Sequence, residues 1–320
     1  MSDTNILLSI MIETYNQESY ISKTLDSILN QEFWFDYEII IGNDCSTDGT
    51  LQILNEYAKK NSKIKIITNK HNLGPMGNYY NLLSVCRGKY LMDCAGDDYW
   101  LPNKVRTQIK YMEDNDEVGC CFTKAKCFFQ DTNEIKELEM SYKTNFEDLI
   151  HQNCIPALTV CLRRTIVEKY INEIKPHEKE WKMEDYPMWL WFSHESKIAF
   201  LDLYTAVYRV IGGSVSHPNE INKVLEFTNS INDIKCFYSE FFSFTITRKD
   251  LDCSYVALFN DYFRKLSNNY SKETRENIAL VYNKIVEPLW VIKMKYFISR
   301  NKTLTKIFYF LKRMCFMKMR

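Results

Sequence analysis

Two pairs of adjacent carboxylates are the residues of this 320-residue chain whose types and spacing could do chemistry. The first pair, Asp97 and Asp98, follows an apolar run and lies in the segment AGDDYW at residues 95–100. Two hard oxygen donors on a tight loop can hold Mg²⁺ or Mn²⁺ and leave coordination positions for phosphate oxygens and water. Two anions side by side at the end of a buried strand are favourable when a cation neutralises them. The segment therefore predicts a divalent metal site.

Glu184 and Asp185 form the second pair, which lies among the aromatic and apolar residues of positions 181–191. Removal from water raises the proton affinity of a carboxylate, which suits a general base that takes a proton from a hydroxyl group. Asp185 is also two residues before Pro187, so it could instead begin the helix that carries residues 189–192. One residue can do both, and we favour the general base.

Two hydrophobic periodicities alternate over the first 125 residues and would position these acids. Continuous apolar runs predict buried strands, and runs with helical spacing follow them. The predicted strands cover residues 6–12, 37–41, 64–67, 90–94 and 118–123, and the helices between them cover 18–30, 51–57, 77–86 and 101–113. This alternation indicates an α/β fold with a mostly parallel central sheet.

Polar residues follow the carboxyl ends of three of the predicted strands. They are Tyr15 and Asn16 after the first strand, Asn43 and Asp44 after the second, and Asp97 and Asp98 after the fourth. Ligands of such sheets bind at the carboxyl ends of the strands. Any one of these residues could be a turn or cap residue, but their common location favours a ligand site.

Beyond residue 125 the pattern is less regular and then becomes helical. Strand-like runs lie at residues 157–162, 199–203 and 206–211. After residue 220 glycine is absent and Pro288 is the only proline, so helices are predicted there, including 223–240 and 255–266. We therefore predict an α/β domain at residues 1–219 and a helical region at residues 220–320.

Charge and cysteine content exclude several classes of protein. The chain has 41 Lys and Arg against 41 Asp and Glu, so it lacks the basic excess of a protein that binds nucleic acid by neutralising phosphates. Eleven cysteines without a CxxC pair indicate reduced thiols in a cytoplasmic protein rather than a zinc or disulfide site. We expect no signal peptide and no membrane-spanning helix, because no apolar run is long enough for either.

The balanced total hides a cationic tail. Residues 289–320 contain nine Lys and Arg and no Asp or Glu, interleaved with aromatic and aliphatic residues. A helix of this composition could lie in the headgroup plane of an anionic membrane, where each cation contributes about 1 kcal/mol. The alternative is a solvated helix packed on a neighbouring subunit of a homo-oligomer. Peripheral attachment at the cytoplasmic face of the membrane would suit a lipid-linked acceptor.

Seven segments resemble, in their order and spacing, glycosyltransferase family 2 with the GT-A fold. They are SIMIETYN at residues 9–16, EIIIGNDCSTDGT at 38–50, NLG at 72–74, RGKY at 87–90, AGDDYW at 95–100, MEDYPMW at 183–189 and VYRVIGGSVS at 207–216. Each segment alone is common, whereas the ordered set is specific. The resemblance implies transfer of a sugar, with inversion, from a nucleotide-sugar donor to a hydroxyl group of a glycan or lipid-linked acceptor in surface polysaccharide synthesis.

The resemblance also implies roles for individual residues. The residues it places at the nucleotide-sugar are Thr14, Tyr15, Asn16, Asp44 and Asp97. Within this set, Tyr15 would pack on the base, and Asp44 would accept a hydrogen bond from uracil, which favours a UDP-sugar as donor. Asp97 would face the ribose or the donor sugar. Asp98 would bind Mn²⁺ or Mg²⁺, and Asp185 would be the catalytic base.

Some positions depart from the family pattern. Glu13 stands where relatives often have proline. Asn78 lies in the neighbourhood where relatives often have an arginine that could meet the diphosphate. Ile211 stands where relatives often have a histidine that can complete the metal shell. His217 could replace that histidine or be a plain surface residue. These departures leave open a non-catalytic nucleotide-sugar-binding or scaffold protein. A Mg²⁺-dependent nucleotidyltransferase ranks last, because the chain lacks a basic glycine-rich triphosphate loop.

Overall fold

The structure, a computed structural model, describes residues 6–211, 220–268 and 270–317. His217, the alternative metal ligand, lies outside the described residues. The chain divides into two compact units, Met1–Ser214 and Val215–Arg320. All the acids singled out in the sequence belong to the first unit.

The first unit is built around a nine-stranded sheet. Its strands are β1 (Leu8–Thr14), β2 (Tyr37–Asn43), β3 (Ile64–Thr68), β4 (Tyr90–Asp93), β5 (Tyr99–Trp100), β6 (Val118–Phe129), β7 (Glu134–Glu137), β8 (Cys161–Arg163) and β9 (Lys197–Val210). Its helices are α1 (Ile21–Leu29), α2 (Thr50–Lys60), α3 (Gly74–Leu83), α4 (Lys104–Asp114), α5 (Phe146–Leu149), α6 (Arg164–Ile174) and α7 (Asp185–Glu195). The strand order is β3-β2-β1-β4-β8-β6-β9-β5, with β7 paired to β6.

The first four strands form the parallel half of the sheet and confirm the predicted alternation of strands and helices. β1 pairs in parallel with β2 and with β4, and β2 pairs in parallel with β3. Side chains on both faces of β1 and β2 are buried, which explains their continuous apolar runs. Because the strands run in the same direction, the loops that follow β1, β2 and β4 emerge at one edge of the sheet.

The sheet as a whole is mixed rather than mostly parallel. Among the described strands, four pairings are parallel and four are antiparallel. The antiparallel pairings involve β5, β7 and β8, which have only two, four and three residues and show too little periodicity to reveal their pairing. The run at 157–162 is a strand only from Cys161, because a 3₁₀ helix, Ala157–Thr159, follows Pro156.

The two predicted runs at 199–203 and 206–211 belong to one strand, β9, which pairs along β6. Its register shifts between Leu201 and Tyr204, so that residues 202 and 203 form a bulge. Tyr204 and Thr205, which carry hydroxyl groups, separate the two apolar runs, which is why one strand resembled two. Beyond the bulge, β9 continues to Arg209, which lies against the loop after β4.

The second unit is helical, as predicted. Its helices are α8 (Ile221–Phe241), α9 (Arg248–Asn268), α10 (Lys272–Tyr282), α11 (Trp290–Ser299) and α12 (Lys302–Met317). Tyr255, Phe259, Phe263 and Ile278 are among the buried residues of its separate core. Within the described residues, no helix has the length and apolar character needed to cross a bilayer.

Gly88 sets how closely the loop before β4 approaches β1. A Cβ atom at Gly88 would lie 2.3 Å from the backbone nitrogen of Ser9 and 2.6 Å from the carbonyl carbon of Leu8. Because backbone atoms of a buried strand cannot move aside, we expect Gly88→Ala to destabilise the first unit by about 1–3 kcal/mol. Gly49→Ala is the control, since its Cβ would meet the flexible side chain of Glu18. Chemical denaturation measures both variants, and equal small losses would contradict this prediction.

Candidate active site

The loops after β1 and β2 are hydrogen-bonded to each other at the edge of the sheet. The Asp44 N–H donates to the Thr14 carbonyl oxygen at 2.9 Å. Asn16 adopts a positive φ of 52°, and its Oδ1 accepts from the Thr47 N–H at 2.8 Å. The side chain of Tyr15 remains 45% exposed. The structure thus brings together four of the predicted nucleotide-binding residues, Thr14, Tyr15, Asn16 and Asp44, and leaves the Tyr15 ring open to a ligand.

The buried Asp44 carboxylate organises the next loop along this edge. Its Oδ1 accepts from the Asn69 side chain and from the Leu73 N–H, both at 2.8 Å. Its Oδ2 accepts from the N–H of Gly74 at 2.9 Å, and Gly74 has a φ of 75°, which favours glycine. A carboxylate has about four acceptor positions. Asp44 can therefore hold the loop and still accept a hydrogen bond at Oδ2.

Asn78 is buried and supports strand β2 below it. Its side chain is 2% exposed, and its Nδ2 donates to the Gly42 carbonyl oxygen at 2.9 Å. Its Oδ1 accepts from the Asn69 side chain at 3.0 Å. A Cβ atom at Gly42 would lie 2.4 Å from Asn78 Oδ1, so the amide fills the space that glycine leaves. The position where relatives often have an arginine is structural in this chain.

Asp97 and Asp98 lie in the loop between β4 and β5, against Arg209 of β9. Asp98 is 4% exposed, and its Oδ1 accepts from the Arg209 N–H at 2.7 Å. The Arg209 guanidinium donates from Nε to the Asp97 carbonyl oxygen at 2.7 Å and lies over the rings of Tyr20 and Phe128. Sequence reasoning gave Arg209 no role, although a buried cation within an apolar strand was a usable signal.

Burial and mutual repulsion make this acidic pair unfavourable without a cation. Burial raises the pKa of Asp97, and burial together with the Asp97 charge raises the pKa of Asp98 well above its usual range. Arg209 offsets part of the charge. Two carboxylates suit Mg²⁺ or Mn²⁺ when phosphate oxygens and water supply the other ligands. Over the described ranges no group of three or more His, Cys, Asp or Glu could hold a metal ion.

Ile211 occupies the position where relatives often have a metal-binding histidine. It follows directly after the last residue of β9 and is partly buried. An isoleucine side chain offers no ligand atom to a cation. His217, the proposed substitute, is among the residues that the structure leaves undescribed. The acidic pair is thus the part of the predicted metal site that can be placed.

Thr14 connects the loops after β1 and β2 with the loop that carries Asp97 and Asp98. A Cβ atom at Gly96 would lie 2.9 Å from Thr14 Cβ and 2.3 Å from Gln17 Oε1, so Gly96 permits a close approach of the two loops. The Gln17 side chain also hydrogen-bonds to Asp97. Among the described residues, Thr14 Oγ1 and Gln17 Oε1 are buried oxygen atoms without a hydrogen-bond partner. Such atoms normally find a partner, so this part of the edge has polar groups available to a ligand.

Asp185 begins α7, as the alternative interpretation predicted. Its Oδ1 accepts from the Tyr186 N–H at 2.6 Å, and its Oδ2 accepts from the Asn153 side chain at 3.1 Å. Burial raises the pKa of Asp185, while these two donors favour its ionised form. Glu184 precedes the helix, and burial together with the Asp185 charge raises the pKa of Glu184 to about 8. The pKa of about 8 favours a protonated Glu184 at neutral pH, while the two donors favour the ionised form of Asp185.

A small pocket connects the second acidic pair with the end of β4. Its lining includes Asp93, Glu184 and Asp185, with Tyr79 and Trp189 beside them. The Asp93 charge raises the pKa of Glu184 and also that of Asp98 in the neighbouring loop. Asp93 therefore links the two acidic pairs electrostatically. The signal for Asp93 was present in the sequence, because it is the one acid in the apolar run at residues 90–94.

The predicted site residues thus form two neighbouring groups. Asp98 interacts electrostatically with Asp97 and with Asp93, and Asp93 interacts electrostatically with Asp185. Asp44 does not line the pocket of Asp93, Glu184 and Asp185. It belongs to the loops after β1 and β2, which contact the loop of Asp97 and Asp98 through Thr14. The residues predicted to bind the nucleotide and the cation lie in loops at one edge of the sheet, and Asp93 at the end of β4 connects this edge with the pocket of the predicted base, Asp185.

Comparison with known proteins shows the family and the fold of the chain. The sequence profile described as "Glycosyl transferase family 2" matches residues 9–174, just over half of the chain. An uncharacterised protein of Mycobacterium tuberculosis is 35% identical over 162 residues, which are 49% of this chain and 47% of that protein. The chain therefore spans about half the length of that relative. The UDP-Glc:alpha-D-GlcNAc-diphosphoundecaprenol beta-1,3-glucosyltransferase WfaP of Escherichia coli is 31% identical over 241 residues, which are 71% of this chain and 86% of WfaP.

A solved structure confirms the predicted architecture. The structure of Staphylococcus aureus TarS 1–349 in complex with UDP-GlcNAc has a TM-score of 0.63 to this chain at 17% identity, and the match covers 96% of this chain and 92% of TarS 1–349. The likeness confirms the GT-A type fold followed by carboxy-terminal helices. With the profile match over residues 9–174 and the relationship to WfaP, the chain belongs to glycosyltransferase family 2.

Proposed function

We propose that the chain is an inverting, metal-dependent glycosyltransferase that moves a sugar from a UDP-sugar to a hydroxyl group of a lipid-linked glycan or surface polysaccharide. The observation that carries this proposal is that Asp93, which ends β4 just before the loop of Asp97 and Asp98, lines one pocket together with Asp185. Such a transfer needs a cation-binding acid and a base near one donor sugar. The name of WfaP, which specifies a UDP-glucose donor and a diphosphoundecaprenol acceptor, and the UDP-GlcNAc bound to TarS support the donor and acceptor classes.

The loops after β1 and β2 would bind the donor nucleotide. The exposed Tyr15 ring offers a face on which a base can stack. Oδ2 of Asp44 has capacity for one more hydrogen bond, which matches the N–H of uracil. Thr14 and Asn16 hold these two groups in place through the contacts between the loops. Asp97 would face the ribose or the donor sugar.

Asp98, with Asp97 beside it, would hold Mn²⁺ or Mg²⁺ at the diphosphate. When bound, the cation offsets the negative charge that grows on the departing nucleoside diphosphate. The Arg209 N–H fixes one oxygen of Asp98, which orients the carboxylate. Gly96 removes a side chain next to this pair, so a ligand can approach the backbone closely.

Asp185 would act as the general base. Its carboxylate takes the proton of the acceptor hydroxyl while that oxygen forms a bond to the anomeric carbon. The bond between this carbon and the diphosphate oxygen breaks, and its electron pair leaves with UDP. Attack opposite the leaving group inverts the configuration and requires no covalent enzyme intermediate. Glu184 is protonated at neutral pH, because its pKa is about 8, and so does not compete for the acceptor proton.

The second unit carries a surface that suits attachment to the cytoplasmic face of a membrane, where a lipid-linked acceptor would be reached. Leu289, Trp290 and Phe297 are 61%, 72% and 68% exposed. Residues 289–320 provide nine cations and no acid. Exposed aromatic and aliphatic side chains next to cations favour the headgroup region of an anionic bilayer.

Substitution of the two central acids tests the proposed transfer. We expect Asp185→Asn to lower transfer about 10²–10⁴-fold, because the base is lost, while UDP binding is retained. We expect Asp98→Ala to abolish the metal-dependent part of the rate. The measurement is UDP release and sugar transfer from a panel of UDP-sugars with Mn²⁺, with the exposed Asp116→Asn as control.

Three outcomes of that experiment would change the proposal. Full transfer by both variants would overturn it. Calorimetric binding of UDP and Mn²⁺ by the unaltered protein without any turnover would favour the non-catalytic binding protein. Release of pyrophosphate from a nucleoside triphosphate would favour the nucleotidyltransferase.

The protonated state of Glu184 predicts a pH-dependent stability. The folded-state pKa of Glu184 is raised to about 8, so its contribution is present below its ordinary value of 4.5 and is lost as the pH rises towards 8. In buffer without divalent cations we expect Glu184→Gln to lessen this loss by up to about 1.4 kcal/mol per pH unit. Denaturation between about pH 5 and pH 8 measures the slope, with the exposed Glu180→Gln as control. Equal slopes in all three proteins would contradict the prediction.

Vesicle binding tests the proposed membrane surface. We expect the protein to sediment with phosphatidylglycerol vesicles and not with phosphatidylcholine vesicles, and salt to weaken this binding. The double variant Trp290→Ala/Phe297→Ala should bind at least about tenfold more weakly, because each side chain contributes about 1.5–3 kcal/mol when buried. Trp34→Ala, which removes a 54% exposed tryptophan of the first unit, is the matched control. Equal binding to both lipids, or to neither, would refute the membrane surface.

A further inference from the structure

Two further acids, Glu13 and Asp93, lie side by side next to the pocket of Asp185. Glu13 belongs to β1 and Asp93 ends β4, and these two strands are paired. Their carboxyl groups are hydrogen-bonded to each other. Within the described part of the chain, Glu13 Oε1 and Asp93 Oδ1 are buried and receive no hydrogen bond from any N–H or O–H donor. A proton held between the two carboxyl groups would satisfy these oxygen atoms.

A hydrogen bond between two carboxyl groups requires a proton, because an ionised carboxylate can only accept. Burial and the charge of Asp93 raise the pKa of Glu13 well above its usual range, and burial raises the pKa of Asp93. Two buried carboxyl groups in contact do not both ionise readily, since their charges repel each other. A pair that holds one proton keeps one negative charge, and its titration belongs to both residues together.

This charge faces the catalytic pocket of the proposed function. Asp93 lines the same pocket as Glu184 and Asp185. Glu13 and Glu184 also interact electrostatically, as do Asp93 and Asp185. A negative charge next to a carboxylate makes that carboxylate hold a proton more tightly. The charge of the pair therefore acts on the group that must remove a proton from the acceptor.

Other titratable groups surround the pair on the neighbouring elements, and the charge of the pair acts on their pKa values. They are Tyr79 of α3, Cys86 before β4, Cys94 and Asp98 after β4, Lys104 of α4, and Glu184 and Asp185 at α7. Lys104 is the cation of this set; burial lowers its pKa to about 8, and it donates to the side chain of Gln108 at 2.6 Å. Lys104 thus weakens the charge of the pair without forming an ion pair with it.

We infer that Glu13 and Asp93 are positioning residues for the transfer, a carboxyl pair that shares one proton and whose remaining negative charge strengthens Asp185 as a base. This inference rests on the proposed function, because it takes Asp185 as the base. The acceptor proton still passes to Asp185, and the electron pair of the broken bond still leaves with UDP. The pair changes no bond itself. This role would explain why the chain has Glu13 where relatives often have proline.

Single and double amide variants separate the shared charge from simple packing. Glu13→Gln leaves an amide that donates to an ionised Asp93, and Asp93→Asn leaves an amide that donates to an ionised Glu13, so each single variant keeps one negative charge. Only the double variant Glu13→Gln/Asp93→Asn removes the charge while it keeps the size of both side chains. The exposed Glu139→Gln is the control for the loss of an acid elsewhere.

The pH dependence of kcat for Mn²⁺-dependent UDP release from UDP-GlcNAc or UDP-glucose is the main measurement. We expect both single variants to keep the acidic limb of the profile within about 0.3 pH units of the unaltered protein. The double variant should move this limb by about one unit to lower pH and lower the plateau, because the base becomes weaker. An unmoved limb in the double variant, with a rate reduced equally at all pH values, would show a packing role and overturn the inference. Single variants that shift the limb as much as the double variant would also overturn it.

Infrared spectroscopy tests the shared proton without any turnover. A protonated carboxyl band that persists above pH 7 in Glu184→Gln, and that is lost when Glu13→Gln/Asp93→Asn is added, supports the pair. Absence of that band in Glu184→Gln would overturn it. If the unaltered protein and Asp185→Asn are equally inactive, the proposed function fails, while the infrared result still decides whether Glu13 and Asp93 share a proton.

Discussion

Carboxyl groups held out of water at the edge of a parallel sheet are the constraint around which the first unit is organised. An isolated buried carboxylate costs several kcal/mol, so each acid here needs a compensating group. Asp98 receives the Arg209 N–H, Asp185 receives the N–H of Tyr186 and the Asn153 amide, and Asp44 receives three donors from the next loop. Where donors are lacking, protons compensate instead, as at Glu184.

The sheet concentrates these acids because parallel strands end together. β1, β2 and β4 run side by side in one direction, so the residues that follow them share one edge. Thr14 is the common point of contact, since its carbonyl oxygen accepts from Asp44 and its side chain lies beside Gly96. The acids are thus held by short connections to rigid strands. Such a support keeps charged groups in a fixed geometry, which favours preorganised binding of a diphosphate and its cation.

In the proposed function, the first unit carries out the sugar transfer, and the second unit provides the surface that would bring the protein to its acceptor. All the buried acids discussed above belong to the first unit, whereas the exposed tryptophan and the cations of the tail belong to the second. A separate hydrophobic core lets the second unit expose apolar side chains without loss of its own packing. The proposed membrane attachment and the proposed sugar transfer can therefore be altered independently.

The sequence by itself determined the elements with strong local periodicity and the acids that follow them. The parallel strands and the helical second unit were predicted, because buried strands and amphipathic helices leave their period in neighbouring residues. The family was predicted from the resemblance of seven segments in their order and spacing. The roles of Tyr15, Asp44, Asp98 and Asp185 stay predictions, although the structure brings Tyr15 and Asp44 together in one loop cluster.

Tertiary structure alone decided which distant residues share an environment. The antiparallel strands β5, β7 and β8 were too short to reveal their pairing. The contact of Arg209 with Asp98 joins residues 111 positions apart, and the pairing of Glu13 with Asp93 depends on β1 lying beside β4. No local pattern encodes such contacts or the protonation states that follow from them, because a carboxyl group's proton affinity depends on burial and on charges brought near it by folding.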